Sequence, residues 1–215
     1  MTAIVFDLDG TLIDSAPDLH EAAVNMLAEA GLPAVTLDQT RSFIGNGVPK
    51  LVERAIAAVG GPHERQAELV AVFLRHYNAA PAVRTALYPG VLDALDRLAA
   101  DGHRLGLCTN KPEAATRAIL DAFDLTRRLG AVVCGDTLPV KKPDPAPLRR
   151  ALQDLGASGG LYVGDSEVDS QTASAVGLPF ALYSRGYRKT AVEAIPHSFV
   201  FDHFDDLAAG VSRAA

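Results

Sequence analysis

The chain has 215 residues, enough for one large domain or for a domain carrying a smaller insertion. With 48% hydrophobic and 21% charged residues it has the make-up of a packed core, which excludes a disordered chain. A net charge of −6 with scattered Lys and Arg leaves no basic footprint for nucleic acid, and no segment approaches the ~18 apolar residues that cross a bilayer.

The chain opens on a strand pattern with no charged leader before it, so the expectation is a soluble, cytoplasmic protein with neither nucleic acid nor membrane as a partner. The first element is AIVF (3–6), an apolar run read as a buried strand, and it ends in Asp7-Leu8-Asp9-Gly10. From about Ala16 to Thr85 there is no strand pattern; LHEAAVNMLAEAG, LDQTRSFIG, VPKLVERAIAAVG and ERQAELVAVFLRHYN all carry helical spacing. This predicts a helical cap domain over 16–81 inserted into a core of 1–15 and 82–215, with linkers near 13–16 and 82–86. Next, VLDALDRLAADG places Val91, Leu92, Leu95 and Leu98 on one helical stripe and stops at Gly102. The remaining strands are RLGLC (104–108), AVVC (131–134), LYV (161–163), FALY (180–183) and FVF (199–201). Apolar strands without alternation, separated by helices, predict an α/β fold: a Rossmann-like, doubly wound parallel sheet covered on both faces. Cys108 and Cys134 end two of these runs far apart in sequence, and read as buried free thiols.

Four polar clusters follow predicted strands. Asp7 and Asp9 are two apart, so an extended chain points both carboxylates to one side; Gly10 then allows a tight turn exposing the N–H groups of Leu8, Asp9 and Gly10 to an anion. Such a pair suits a carboxylate nucleophile with an acid/base beside it, or a metal ion between like charges; a polar loop is the plainer account. Thr109 and Asn110 offer neutral donors for a phosphate, although Thr-Asn before Lys-Pro also suits a helix N-cap. In VKKPDPAPL, prolines stiffen the chain around Lys142, a point charge for a phosphate, and a helix is expected from about Pro147. Asp165 closes the LYVG strand, with Glu167 and Asp169 after it in a first helical turn, where acidic groups also suit the helix dipole. In an open parallel sheet such ends converge on one crevice. Asp7, Asp9 and Asp165 would then be hard oxygen ligands for Mg2+, which takes one or two carboxylates plus waters and a substrate phosphate. The six histidines lack zinc-ligand spacing.

DLDGTLIDS, LCTN, KKPDPAP and GDSEVD, in that order, resemble the four motifs of the haloacid dehalogenase superfamily. The resemblance covers essentially the whole chain. It implies a Mg2+-dependent phosphotransferase with a helical cap and an aspartyl-phosphate intermediate. Asp7 would be the nucleophile, Asp9 the acid/base, Thr109 a phosphate ligand and Lys142 the stabiliser of nucleophile and phosphoryl group. Asp165 would hold Mg2+ with Asp7 and the backbone carbonyl of Asp9, and Asp169 would complete the acidic site. An aspartate at position 9 points to phosphatases and mutases rather than dehalogenases. Within the superfamily, SFIGNGVPKLVERA, LYPGVLDALDRL and GDTLPVKKPDPAPL are similar to bacterial phosphoglycolate phosphatases, implying a small phosphomonoester as substrate. Gly45, Asn46 and Gly47 would then approach its distal end, flanked by Arg41 and Lys50. The remaining readings are a phosphosugar mutase and a phospho-accepting signalling module.

Overall fold

The apolar runs become strands because each offers a hydrophobic side chain to both faces of a sheet. In a computed structural model, which describes residues 2–214, β1 (Ala3–Phe6) lies between β4 (Arg104–Cys108) and β6 (Gly160–Gly164), parallel to both. Beyond them lie β5 (Ala131–Val133), β7 (Phe180–Tyr183) and β8 (Phe199–Phe201), giving the all-parallel order β5-β4-β1-β6-β7-β8. Alternate residues separate cleanly. Ile4, Phe6, Leu105, Leu107, Leu161 and Val163 enter one buried cluster. Ala3, Val5, Cys108, Tyr162, Phe180 and Leu182 enter another on the opposite face. Helix α5 (Val91–Ala100) covers the first face with Val91, Leu95 and Leu98. Helix α7 (Ala146–Asp154) covers the second with Leu148, Ala151 and Leu152. This is the expected Rossmann-like α/β core. Cys108 and Cys134 are buried free thiols, as read from the sequence, and burial pushes the Cys108 thiol up to about 12. Among the described residues, no helix is long and apolar enough to cross a membrane.

Between β1 and α5 lie, among the described residues, four α-helices: α1 (Ala16–Glu29), α2 (Leu37–Phe43), α3 (Val48–Ala58) and α4 (Gln66–Ala79). They share their own apolar cluster, in which Leu19, Ala23, Met26 and Leu27 meet Leu51, Val52 and Ile56 and also Leu69, Phe73 and Tyr77. Ala115 and Tyr187 join this cluster from the α/β part. Helix α2 opens on a capping box, Thr36 with Gln39, which satisfies two otherwise orphaned N–H groups.

The two passages into and out of the helical segment, read from the sequence as linkers, pair with each other. Short strands β2 (Ile13–Asp14) and β3 (Ala86–Leu87) form an antiparallel ribbon. Buried Asp18 fastens it, accepting hydrogen bonds from Arg84 N (2.9 Å), Thr85 N (2.8 Å) and Thr85 Oγ1 (2.7 Å). Removing that carboxylate strands the buried Thr85 N–H and hydroxyl, each costing about 1–3 kcal/mol. Asp18→Ala is therefore expected to lower unfolding free energy by about 3 kcal/mol in urea titration. A change within ±0.5 kcal/mol would show that the clamp carries no stability.

Candidate active site

Strand β1 ends at Phe6, and the chain turns at once: Thr11 N and Leu12 N donate to Leu8 O at 3.2 and 2.9 Å. Gly10 makes the turn possible with φ +88°, and a Cβ there would lie 2.5 Å from Asp165 Oδ2. One part of the expected anion nest is corrected here. The Gly10 N–H is committed to the Ile13 carbonyl at 2.8 Å, because the turn closes back on β2.

The carboxyl ends of β1 and β6 bring Asp7, Asp165 and Asp169 together, each with a carboxylate oxygen within 4.8 Å of the others, and all three are buried. Asp169 lies one turn into α8 (Glu167–Val176), where it closes a capping box with Ser166. Its Oδ2 accepts from Ser166 Oγ (2.6 Å), Ser166 N (3.2 Å) and Asp165 N (3.3 Å). Asp165 is oriented by Thr11 Oγ1 at 3.0 Å and the Tyr187 N–H at 2.5 Å. The loop holding Tyr187, to which the sequence lent no role, thus fixes Asp165, and the Tyr187 hydroxyl reaches Asp14 Oδ1 at 2.6 Å.

One cation faces this cluster. Lys142 Nζ lies 2.7 Å from Asp169 Oδ1, 2.8 Å from the Tyr162 hydroxyl and 2.9 Å from Asp7 Oδ1. The last contact is an ion pair without hydrogen-bond geometry, which leaves Asp7 Oδ1 buried with no hydrogen bond. Burial raises the Asp7 carboxyl to about 7, against the pull of Lys142, and also holds Asp165 well above the carboxylate range. Asp169 and Asp7 keep Lys142 charged above its ordinary range although burial opposes it. Three buried carboxylates against one ammonium, with Asp7 Oδ1 lacking a hydrogen bond, form an acidic cluster of a kind that could hold a metal ion. Tyr162, buried mid-strand, escaped the sequence reading because its chemistry depends on Lys142 arriving from another loop.

Asp9 stands apart from the cluster. Its Oδ1 accepts from Ser15 Oγ at 2.5 Å and from Lys111 Nζ at 2.8 Å. Lys111 is the functional candidate that the sequence reading passed over, although it follows Thr109 and Asn110 directly at the end of β4. Its side chain is only 2% exposed, and Nζ lies 4.7 Å from the centroid of the Tyr77 ring. Burial opposes the Lys111 charge, but Asp9 and Tyr77 hold its pKa above the ordinary lysine range.

Asp7, Asp9, Thr109, Asn110 and Lys111 line one cavity between the strand ends and the helical segment, and Gly45 and Gly47 form part of its far wall. Thr109 is buried there, its Oγ1 accepting from Lys111 N at 3.2 Å. Other expectations are revised. Asn110 was grouped with the phosphate donors, yet its amide is committed to backbone: Nδ2 donates to Lys142 O (3.0 Å) and Gly45 O (3.2 Å), and Oδ1 accepts from Lys142 N (2.9 Å). It ties the β4 end to the Lys142 loop and to the helical segment. Asn46 does not line the cavity; its Oδ1 is held by Arg54 Nη2 at 2.8 Å. Arg41 and Lys50 are absent from the lining too, facing Asp14 and Asp38, and Glu53, respectively. Glu167 Oε1 accepts from the backbone N–H groups of Lys189 (2.8 Å) and Thr190 (2.6 Å), and the residue borders a second cavity with Asp7, Asp9 and Asp165.

Comparison with known proteins agrees with this geometry. A family model for haloacid dehalogenase-like hydrolases matches residues 4–183. A phosphoglycolate phosphatase of Cereibacter sphaeroides is 51% identical over 209 residues, covering 96% of both chains. One from Rhodospirillum rubrum is 43% identical over 213 residues, covering 95% of this chain and 88% of that one. The crystal structure of a predicted phosphoglycolate phosphatase from Haemophilus somnus superposes with a TM-score of 0.91 at 29% identity over 97% of each chain. The chain belongs to the haloacid dehalogenase-like hydrolase family as one of its phosphatases.

Proposed function

We propose that this phosphatase hydrolyses 2-phosphoglycolate to glycolate and phosphate through an aspartyl phosphate on Asp7, with Mg2+ as cofactor. The observation that carries the mechanism is the buried triad of Asp7, Asp165 and Asp169 around Lys142. Asp7 and Asp165, with the Asp9 backbone carbonyl, would hold the metal, which when bound offsets negative charge on the phosphoryl oxygens. Asp7 attacks phosphorus in line, forming the Oδ–P bond as the ester P–O bond breaks. Asp9 delivers a proton to the departing alkoxide and then takes one from the water that cleaves the aspartyl phosphate. Thr109 donates its hydroxyl to a phosphoryl oxygen, while Lys142 supplies fixed positive charge close to Asp7. Asp169 acts through Lys142, which it positions. Helices α1–α4, residues 16–81 with their adjoining turns, serve as a cap that closes the cavity and keeps water from the first step. The substrate assignment is supported by the phosphoglycolate phosphatases among the relatives, one of them 51% identical over nearly the whole length.

A panel of phosphomonoesters assayed with Mg2+ and with EDTA tests this reading. 2-Phosphoglycolate should give the highest kcat/KM, with free phosphate released and activity lost on chelation. A better sugar phosphate would replace the substrate, an isomerised product would indicate a mutase, and full activity in EDTA would remove the metal.

A further inference from the structure

Two polar groups in the cavity remain unmatched by the mechanism above. Lys111 Nζ carries three N–H donors, and among the described residues its single hydrogen bond is to Asp9 Oδ1. The Tyr77 hydroxyl, on a residue 1% exposed, has no partner with full hydrogen-bond geometry and interacts only with the Lys111 ammonium beside it, and burial raises it to about 12. Both line the cavity beside Asp9, and the ammonium sits against the Tyr77 ring. Much of the surrounding wall is apolar: Leu19, Ile44, Val48 and Leu51. A buried ammonium with one well-formed hydrogen bond and a buried hydroxyl whose single neighbour is that same cation leave donor capacity that an anionic ligand would use.

We propose that Lys111 and Tyr77 form the carboxylate-recognition site of this enzyme, gripping an acid group placed immediately beside the scissile ester. The inference rests on the 2-phosphoglycolate reading and adds to it the residues that select the substrate. The spacing follows from the geometry. Asp9 must come within hydrogen-bond reach of the ester oxygen to protonate it, and Lys111 Nζ lies 2.8 Å from Asp9 Oδ1. In a glycolate ester the carboxylate carbon is two bonds from that oxygen, so an acid there falls within reach of Lys111 while phosphorus faces Asp7. A neutral group in that place would leave both polar partners unsatisfied, which is how a site built to pair a substrate group rejects analogues lacking it. Arg41 and Lys50, the cations flanking the Gly45–Gly47 loop, lie off the cavity and already have acidic partners.

The test compares 2-phosphoglycolate with ethyl phosphate, which replaces the carboxylate by a methyl group. Steady-state kinetics are measured for the Mg2+-supplemented wild type, Lys111→Met and Tyr77→Phe. The ratio of kcat/KM for the two substrates isolates the carboxylate, because any effect of Lys111 on Asp9 bears on both. Lys111→Met should lower the ratio about 100-fold, and Tyr77→Phe about tenfold through KM for 2-phosphoglycolate. Should Lys111→Met fail to fold, Tyr77→Phe, which deletes one hydroxyl, decides. A wild type that prefers 2-phosphoglycolate with variants that keep this preference within twofold overturns the inference alone. A wild type indifferent to the carboxylate overturns both it and the substrate assignment.

Discussion

Asp7→Asn is expected to reduce phosphate release by about 10^4-fold or more while the protein stays folded. The amide keeps the shape of the side chain but cannot attack phosphorus, so no covalent intermediate forms. The fold should survive because the substitution removes a charge that folding already resists: burial lifts the Asp7 carboxyl to about 7. The metal-free variant should therefore melt at or above the wild-type temperature, and Mg2+ should raise its melting temperature less than it raises that of the wild type. Phosphate release, circular dichroism and melting curves with and without Mg2+ check all three expectations. Near-wild-type release by this variant would remove Asp7 from the role of nucleophile.

Lys142→Met carries the second large effect, on activity and stability together. Methionine fills similar volume without charge, so the loss isolates the ammonium among Asp7, Asp169 and the Tyr162 hydroxyl. With the cation gone, Asp169 and Asp7 remain buried and unpaired, a situation that costs about 3–5 kcal/mol. In metal-free protein the urea midpoint should fall accordingly, with part of the loss restored by Mg2+. With Mg2+ present, kcat should fall about 10^3-fold, as expected when a fixed charge is removed from beside the transferring group. Lys142→Arg should not restore it, since a planar guanidinium cannot occupy the space of a compact ammonium touching three oxygens. Retained stability together with retained activity would show that Lys142 is an idle loop lysine, which is how it reads when its motif is taken alone.

Much of this molecule was legible without coordinates. The strand runs AIVF, RLGLC, FALY and FVF match β1, β4, β7 and β8 residue for residue. AVVC ran one residue past β5, and LYV fell one residue short of β6 at each end, where Gly160 pairs with Ala3. The helix after the proline loop starts at Ala146 rather than Pro147 because Asp144 accepts from the Ala146 N–H. Asp7, Asp165 and Lys142 fall at strand-end positions that converge in an open parallel sheet, while Asp169, which reads alone as a helix-dipole residue, enters the site only through the resemblance to the family's motifs.

What escaped prediction depends on partners distant along the chain. Asn110 and Asn46 look like free amides in sequence, but Lys142, Gly45 and Arg54 claim them. Lys111 looks like a surface cation until folding buries it between Asp9 and Tyr77, which comes from the last helix of the inserted segment. Local pattern determined which residues become strands, which ends carry carboxylates and which stretch is helical, because periodicity and turn chemistry act over a few neighbours. Only the tertiary structure decided which polar groups are paired and which face the cavity unpaired, since hydrogen-bond satisfaction in a buried site belongs to whatever the fold brings within 3 Å.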